Sequence, residues 1–313
     1  MSVTSLLNAD LHCHSVVSDG TLTPEALAAR AKANGVELWA LTDHDEIGGQ
    51  QRAAAAARAV GLHYLTGVEI SVTFIHQTVH IVGLGFDPED PALQLGLIQT
   101  RGGRGQRAME MADGLAKVGI TGAFEGALKF AGNHELISRT HFARFLVDSG
   151  VCKDTQEVFR KYLIEGKPGY VAHRWASLKD AVTWITQAGG MAVIAHPARY
   201  KFSTNEEFAL FTEFKGHGGQ GVEVVTGSHT AAEYVTYAAT AQEFGLLASR
   251  GSDFHSPTES HTELGTLPFL PGQLTPVWEA LAHRIQLAPA LKPALNPTLT
   301  PAVEPGAARS SAS

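Results

Sequence analysis

Asp10-Leu11-His12-Cys13-His14-Ser15, followed by Asp19-Gly20, is the stretch on which the reading of this chain turns. Its apolar neighbours place it on a β-strand. The period of two then sends the His12 and His14 side chains to one face, close enough to share a cation. Asp19 is their first candidate partner. A strand end that happens to carry two histidines would look the same, so the discriminating signal must come from further along the chain.

Outward from this stretch, strands and helices alternate. Thr23 reads as an N-cap and Pro24 as the first helical position, with Leu27, Ala28 and Ala31 forming an apolar face before a stop at Gly35. Glu37 to Thr42 predicts the next strand, ending in Asp43-His44-Asp45, and an alanine-rich helix from about Gln50 to Val60 follows. Leu65 to Glu69 predicts a third strand, which runs into Ser71 to Phe74 and then Val79 to Gly83. The link is too short for a crossover helix, so a hairpin is expected, with His80 entering close to Glu69. The rhythm resumes with a helix over Ser177 to Ala188 and a strand over Met191 to Ala195 that ends in His196-Pro197. A helix near Glu206 to Lys215, a strand over Gly221 to Val225 and a helix over Ala231 to Phe244 come next. The final strand, Leu246 to Arg250, ends in Gly251-Ser252-Asp253-Phe254-His255.

Residues 99–169 interrupt this alternation. Arg101, Arg104, Arg107, Met109, Met111, Leu115 and Val118 predict one long amphipathic helix, and shorter helices are expected over Ser138 to Leu146 and Thr155 to Leu163. Most of the basic residues here read as a solvated helix face. The expected organisation is a barrel domain from 1–98 and 170–287, a helical insertion over 99–169 that contributes to the substrate site, and a disordered Pro, Ala and Ser rich tail over 288–313.

Composition narrows the class. The chain has 313 residues, 44% hydrophobic and 18% charged, as expected for a globular protein with one large core. There is neither a leader-like apolar run nor a segment apolar for long enough to span a bilayer, so a cytoplasmic protein with no membrane contact is expected. Two cysteines, Cys13 and Cys152, are too few for a disulfide framework. A net charge of -7 argues against a broad basic surface for nonspecific nucleic-acid binding, so an anionic substrate would have to be attracted locally.

In a barrel of alternating strands and helices, the C-terminal strand ends converge on one face, where chemistry is placed. His12, His14, His44, Glu69, His80, His196, Asp253 and His255 fall at or near those ends. A satisfied core histidine would account for any one of them alone. It does not account for all of them at the same end.

These motifs, in order, resemble those of the PHP (polymerase and histidinol phosphatase) family. Arg139-Thr140-His141-Phe142-Ala143-Arg144-Phe145-Leu146-Val147, Lys161-Tyr162-Leu163, Gly166-Lys167-Pro168-Gly169-Tyr170 and His196-Pro197-Ala198-Arg199-Tyr200 carry a narrower resemblance. They are similar to nucleoside 3′,5′-bisphosphate phosphatases, also described as 5′-to-3′ exoribonucleases of the RNase AM type. The resemblance implies a distorted seven-stranded (β/α) barrel and two to three divalent cations per chain. One would be held by His12, His14, Glu69 and Asp253, a second by Glu69, His80 and His196, and a third by Asp19, His44 and His255. Mixed imidazole and carboxylate shells suit Mn²⁺, with Fe²⁺ or Zn²⁺ as alternatives.

The activity implied is phosphoester hydrolysis by a metal-bridging hydroxide held by Glu69 with His12, His14 and Asp253, on a small nucleotide or short RNA. No side-chain nucleophile is required. A 5′-phosphate on the substrate would need a separate anion site, for which Arg139, Arg144 and Arg199 are the candidates, then His141, Lys161 and Lys167, with His229 and His134 as weaker ones. Two other readings stay open at this point: another PHP phosphatase, such as a histidinol phosphate phosphatase, and a non-catalytic metal-stabilised nucleic-acid-binding module.

Overall fold

The computed structural model describes residues 7–289. Strand β1 (Ala9–Asp10) is followed by α1 (Pro24–Ala33), β2 (Leu38–Leu41), α2 (Gln50–Val60), β3 (His63–Phe74) and β4 (Gln77–Leu84). A helical stretch comes next: α3 (Pro91–Arg101), α4 (Arg104–Ala116), α5 (Ala123–Leu128), α6 (Arg139–Asp148) and α7 (Thr155–Val158). The chain then returns through β5 (Ala176–Ser177), α8 (Leu178–Gln187), β6 (Met191–Ile194), α9 (Thr204–Gly216), β7 (Gly221–Thr226), α10 (Ala231–Phe244), β8 (Leu247–Gly251) and α11 (Val277–Ala280).

Seven strands lie side by side in the order β1-β2-β3-β4-β6-β7-β8, and β5 adds to the side of β3. The ring closes where Leu11 donates to the Arg250 carbonyl at 3.0 Å and Asp253 donates to the His12 carbonyl at 2.8 Å. The fold is therefore the α/β barrel expected, nearly closed and of seven strands. It is distorted by β4, which runs antiparallel to both β3 and β6. The short Ile75–His76 turn permits only a hairpin there.

Local chemistry sets the helix ends. Thr23 caps α1 through its hydroxyl, which accepts from Ala26 N, and Pro24 opens the helix as read from the sequence. Thr230 with Glu233 and Ser203 with Glu206 form capping boxes at α10 and α9. The four residues of β2 and the four of β6 are all buried because helices cover the outside of the barrel and side chains fill its inside. A second apolar cluster, including Leu27, Trp39, Ala53 and Phe254, lies beneath α1 and α2.

The helical stretch departs from the reading in two ways. The long helix over Arg101 to Val118 is two helices, since Gly102 and Gly103 separate α3 from α4 and Gly103 adopts φ 85°, the left-handed region that favours glycine. Met109 and Val118 are accordingly exposed instead of facing a core. Arg104 and Arg107, read as a solvated face, are 5% and 8% exposed. Helix α3 packs on the barrel through Leu93 and Leu97, whereas Met111, Leu115, Phe142, Leu146, Val158 and Leu163 form a separate core for α4 to α7. From 290 onward, the expected tail lies outside the described residues.

Candidate metal centre and anion cavity

Nine donor residues meet in one ring: seven follow the ends of β1, β2, β6 and β8, whereas Glu69 and His80 lie within β3 and β4, the strand expected to end at Glu69 running on to Phe74. Nε2 of His12 and Nε2 of His14 stand 3.2 Å apart, each 3.3 Å from Glu69 Oε2. Asp253 Oδ1 lies 3.5 Å from the first and 3.4 Å from the second. Glu69 turns its other oxygen, Oε1, to His80 Nδ1 at 2.8 Å and His196 Nε2 at 3.0 Å. On the opposite side Asp19 Oδ1 faces His255 Nε2 at 3.4 Å and His44 Nε2 at 3.8 Å, while His44 Nδ1 reaches Glu69 Oε2 at 3.0 Å. Glu69 is thus central, and His44 links the Asp19 corner to it.

Backbone geometry shows how hard the chain is bent to build this ring. Among the described residues, four non-glycines have positive φ, and three of them, Asp45, His196 and Asp253, lie in or beside the ring. Gly251 supplies the close approach of β8 to β1, since a Cβ there would sit 2.3 Å from the His12 Cβ.

The donor set fits divalent cations. Asp19 Oδ1, His44 Nδ1, Glu69 Oε2 and His80 Nδ1 are buried and make no hydrogen bond of acceptable geometry, although other donors crowd them. Buried polar atoms are rarely left so, and cations seated among them, with Asp19 and His44 in one group and His44, Glu69 and His80 in another, would satisfy them. Burial alone would raise the carboxyls of Asp19, Glu69 and Asp253. The neighbouring imidazoles, joined at Asp253 by Arg199, instead hold all three well below the usual carboxylate range. Burial pushes His80 down to about 4, which leaves it neutral with a free lone pair. His44 is held up to about 9 because Glu69 and Asp19 outweigh its burial.

Behind the ring stands a supporting layer that the sequence reading did not single out. Glu223, in the middle of β7 and 1% exposed, accepts from His12 Nδ1 at 2.7 Å and from His196 N at 2.7 Å. One carboxylate therefore directs the His12 lone pair at Nε2 into the ring and fixes a second candidate ligand. A charged residue within Gly221-Val222-Glu223-Val224-Val225, a strand otherwise buried on both faces, was the available signal. Asp45 Oδ1 accepts from Ser71 N at 2.7 Å, and its other oxygen pairs with Arg104, tying the ring to α4.

The ring floors a cavity whose walls include Arg104, Arg107, Arg139, Arg199, Phe159 and Trp175. Arg104 lies 4.6 Å and Arg107 5.4 Å from the Trp175 ring centroid, and Arg139 lies 5.9 Å from that of Phe159. Burial, then repulsion by Arg139 and Arg104, brings Arg107 down to about 10. Burial likewise lowers Arg139, whose neighbours include Arg199 and Arg104. Arg199 donates to Asp253 Oδ2 at 2.8 Å. The spacing of three along a helix is the signal that could have grouped Arg104 with Arg107.

Several other expected substrate contacts are placed elsewhere. Arg144 is turned away from this cavity and is committed to Glu259 through Nη2 at 2.7 Å and Nε at 2.9 Å. His141 is fully buried, and its Nδ1 accepts from Ser138 N at 3.0 Å as part of a capping box on α6. His229 is packed on Tyr237 with ring centroids 4.9 Å apart, and its Nε2 accepts from Ala198 N. Lys161 pairs with Glu157 on the surface at 2.7 Å, one helical turn away. Lys167 and His134 are exposed and do not line the cavity.

The chain belongs to the PHP domain family, whose profile matches residues 10–173. It is 53% identical over 91% of its length, and all of the relative's, to a 3′,5′-nucleoside bisphosphate phosphatase of Chromobacterium violaceum. A 5′-3′ exoribonuclease of Haemophilus influenzae is 42% identical over 86% of this chain and 97% of its own. A Chromobacterium violaceum structure described as an amidohydrolase, with bound sulfate and no metal, superposes with a TM-score of 0.87 at 52% identity, covering 90% of this chain and 98% of the other. A Bifidobacterium adolescentis structure, provisionally described as a metal-dependent phosphoesterase, gives 0.75 at 26% identity, covering 91% and 98%. The protein is a metal-dependent phosphoesterase of this family. Among the described residues no helix is long and apolar enough to cross a membrane.

Proposed function

We propose that the chain hydrolyses the 3′-phosphate ester of nucleoside 3′,5′-bisphosphates to the nucleoside 5′-monophosphate and phosphate, and the equivalent linkage in short 5′-phosphorylated RNA. The observation that carries this is the side-by-side placement of the donor ring and a wall of arginines in one cavity, two of them, Arg104 and Arg107, buried. Among the described residues, Arg139 and Arg107 have no carboxylate partner, and they repel one another, so the wall is complete only with an anion against it. A substrate with two phosphates supplies one for the ring and one for the wall.

His12, His14, Glu69 and Asp253 would hold one divalent ion, Glu69, His80 and His196 a second, and Asp19, His44 and His255 a third. The donor chemistry favours Mn²⁺, Fe²⁺ or Zn²⁺ over Mg²⁺. Bound there, such ions supply positive charge to the phosphate oxygens and lower the pKa of coordinated water. The residues of the chain do the rest. Glu223 keeps the His12 lone pair directed inward, Asp45 aligns Arg104, and Arg107 and Arg139 grip the second phosphate through charge-assisted hydrogen bonds. Substrate choice comes from residues 99–169, which supply these three arginines, while the barrel on either side supplies the ring. The two unbridged cysteines, both buried, are in keeping with a cytoplasmic setting.

The test compares adenosine 3′,5′-bisphosphate with adenosine 3′-monophosphate as substrates. Arg139→Ala is expected to lower kcat/KM for the bisphosphate by roughly 10- to 150-fold, the equivalent of about 1.5–3 kcal/mol for a hydrogen bond to a charged group, and to change the 3′-monophosphate rate little. Equal rates of the wild-type protein on both substrates would reject the two-phosphate reading.

A further inference from the structure

A second cavity, of about 370 Å³, adjoins the first on the Asp253 and His255 side. Thr140, Phe159, Arg199, Asp253 and His255 line both, and the outer wall includes Gly227, Ser228, Glu259, Ser260, His261 and Thr262. We propose that this second cavity seats the nucleotide on the 3′ side of the scissile phosphate when the substrate is RNA. The proposal rests on the two-phosphate reading above and adds the site that would admit a diester.

A 3′-phosphate monoester needs room at the ring only for its terminal oxygens. In RNA one of those oxygens is the O5′ of the next nucleotide, which must leave the ring by a path not taken by the 5′-phosphorylated nucleoside. That nucleoside lies toward Arg104, Arg107 and Arg139, so the path past His255 is the one left open.

The second cavity has the chemistry of a ribose site. Its outer wall carries hydroxyl and backbone groups beside the exposed His261: Ser228 is exposed and its hydroxyl makes no hydrogen bond among the described residues, while Thr262 Oγ1 donates to the Gly227 carbonyl at 3.3 Å. Ser260 Oγ accepts from His255 N at 2.8 Å, so this wall is fixed to a residue of the ring. The acid of the outer wall, Glu259, is neutralised by Arg144 at 2.7 Å and presents no bare charge to a phosphodiester. Arg199, half exposed between the two cavities, can reach a non-bridging oxygen of the phosphate that joins them.

The reaction balances as hydrolysis. Water adds to phosphorus, the P–O3′ bond breaks, and the proton goes to O3′. The products are a nucleoside 5′-monophosphate and an RNA that begins with a 5′-phosphate, again a substrate.

The experiment measures wild type, Ser228→Trp and Ser228→Ala on adenosine 3′,5′-bisphosphate and on the 5′-phosphorylated dinucleotide pApA, with thermal melting of each protein. Ser228→Trp fills the second cavity and is expected to lower kcat/KM for pApA by at least about ten-fold, with the bisphosphate rate within about two-fold of wild type. Ser228→Ala keeps the space open and is expected to retain both activities. Wild-type hydrolysis of the bisphosphate but not of pApA would overturn the proposal and leave the bisphosphate reading standing. An equal loss on both substrates, or no loss on pApA, in a Ser228→Trp protein that melts like wild type would overturn it too. A wild type that hydrolyses pApA but shows no preference for a 5′-phosphate would remove the underlying reading instead, and with it the path assigned here.

Discussion

Replacing Glu223 by Gln tests the supporting layer behind the ring. The two carboxylate oxygens each accept one hydrogen bond, from His12 Nδ1 and from His196 N, both at 2.7 Å. An amide of the same shape offers one acceptor where two are required. If its oxygen keeps His196 N, its NH₂ group faces His12, which must become an acceptor at Nδ1 and place its proton on Nε2, the nitrogen aimed into the ring. If the oxygen keeps His12, a buried backbone N–H meets another donor. The first outcome removes a ligand lone pair, and the second leaves a polar group unsatisfied at a cost of about 1–3 kcal/mol.

Loss of such an outer partner lowers metal affinity by about 10- to 100-fold, or ~1.4–2.7 kcal/mol. Titrating Mn²⁺ into metal-stripped protein, followed by thermal shift and by phosphate release, should show the midpoint moving up by that factor, with activity recovering at high metal. Wild-type metal affinity in a folded Glu223→Gln protein would refute the argument that Glu223 sets the His12 tautomer.

Glu69→Gln removes the charge that meets five imidazoles, so bound metal should fall by elemental analysis and phosphate release should drop by about 100-fold or more, since the ions supply several kcal/mol of charge stabilisation. Unchanged metal content would overturn the bridging assignment. Arg250→Ala addresses the barrel seam instead. The buried guanidinium donates to the carbonyls of Ala9, Leu267 and Pro268 and to Asn8 Oδ1, so its loss should destabilise the fold by about 3–5 kcal/mol in denaturant unfolding. A change below about 1 kcal/mol would show that water replaces the side chain there.

The sequence by itself determined the barrel and the composition of the ring. Periodicity, caps and turn residues act over a few positions, and His12, His44, His196 and Asp253 each sit just past a strand's end, so the barrel gathers them on one face; Glu69, read as a strand's last residue, instead lies within β3, which runs on to Phe74. The hairpin that brings His80 to Glu69 was legible for the same local reason. Which arginines face the cavity was decided only by tertiary structure. Arg144 and Arg139 lie on one short helix, yet Arg144 meets Glu259, more than a hundred residues away, while Arg139 turns to the ring. Arg104 and Arg107 became wall residues because Gly102 and Gly103 break the helix and reorient α4 over the strand ends. Glu223 reads as one polar residue in an apolar strand until His12 and His196, each just past the end of another strand, close on it. Charge pairing and burial depend on contacts between distant segments, and one-dimensional spacing carries no record of them.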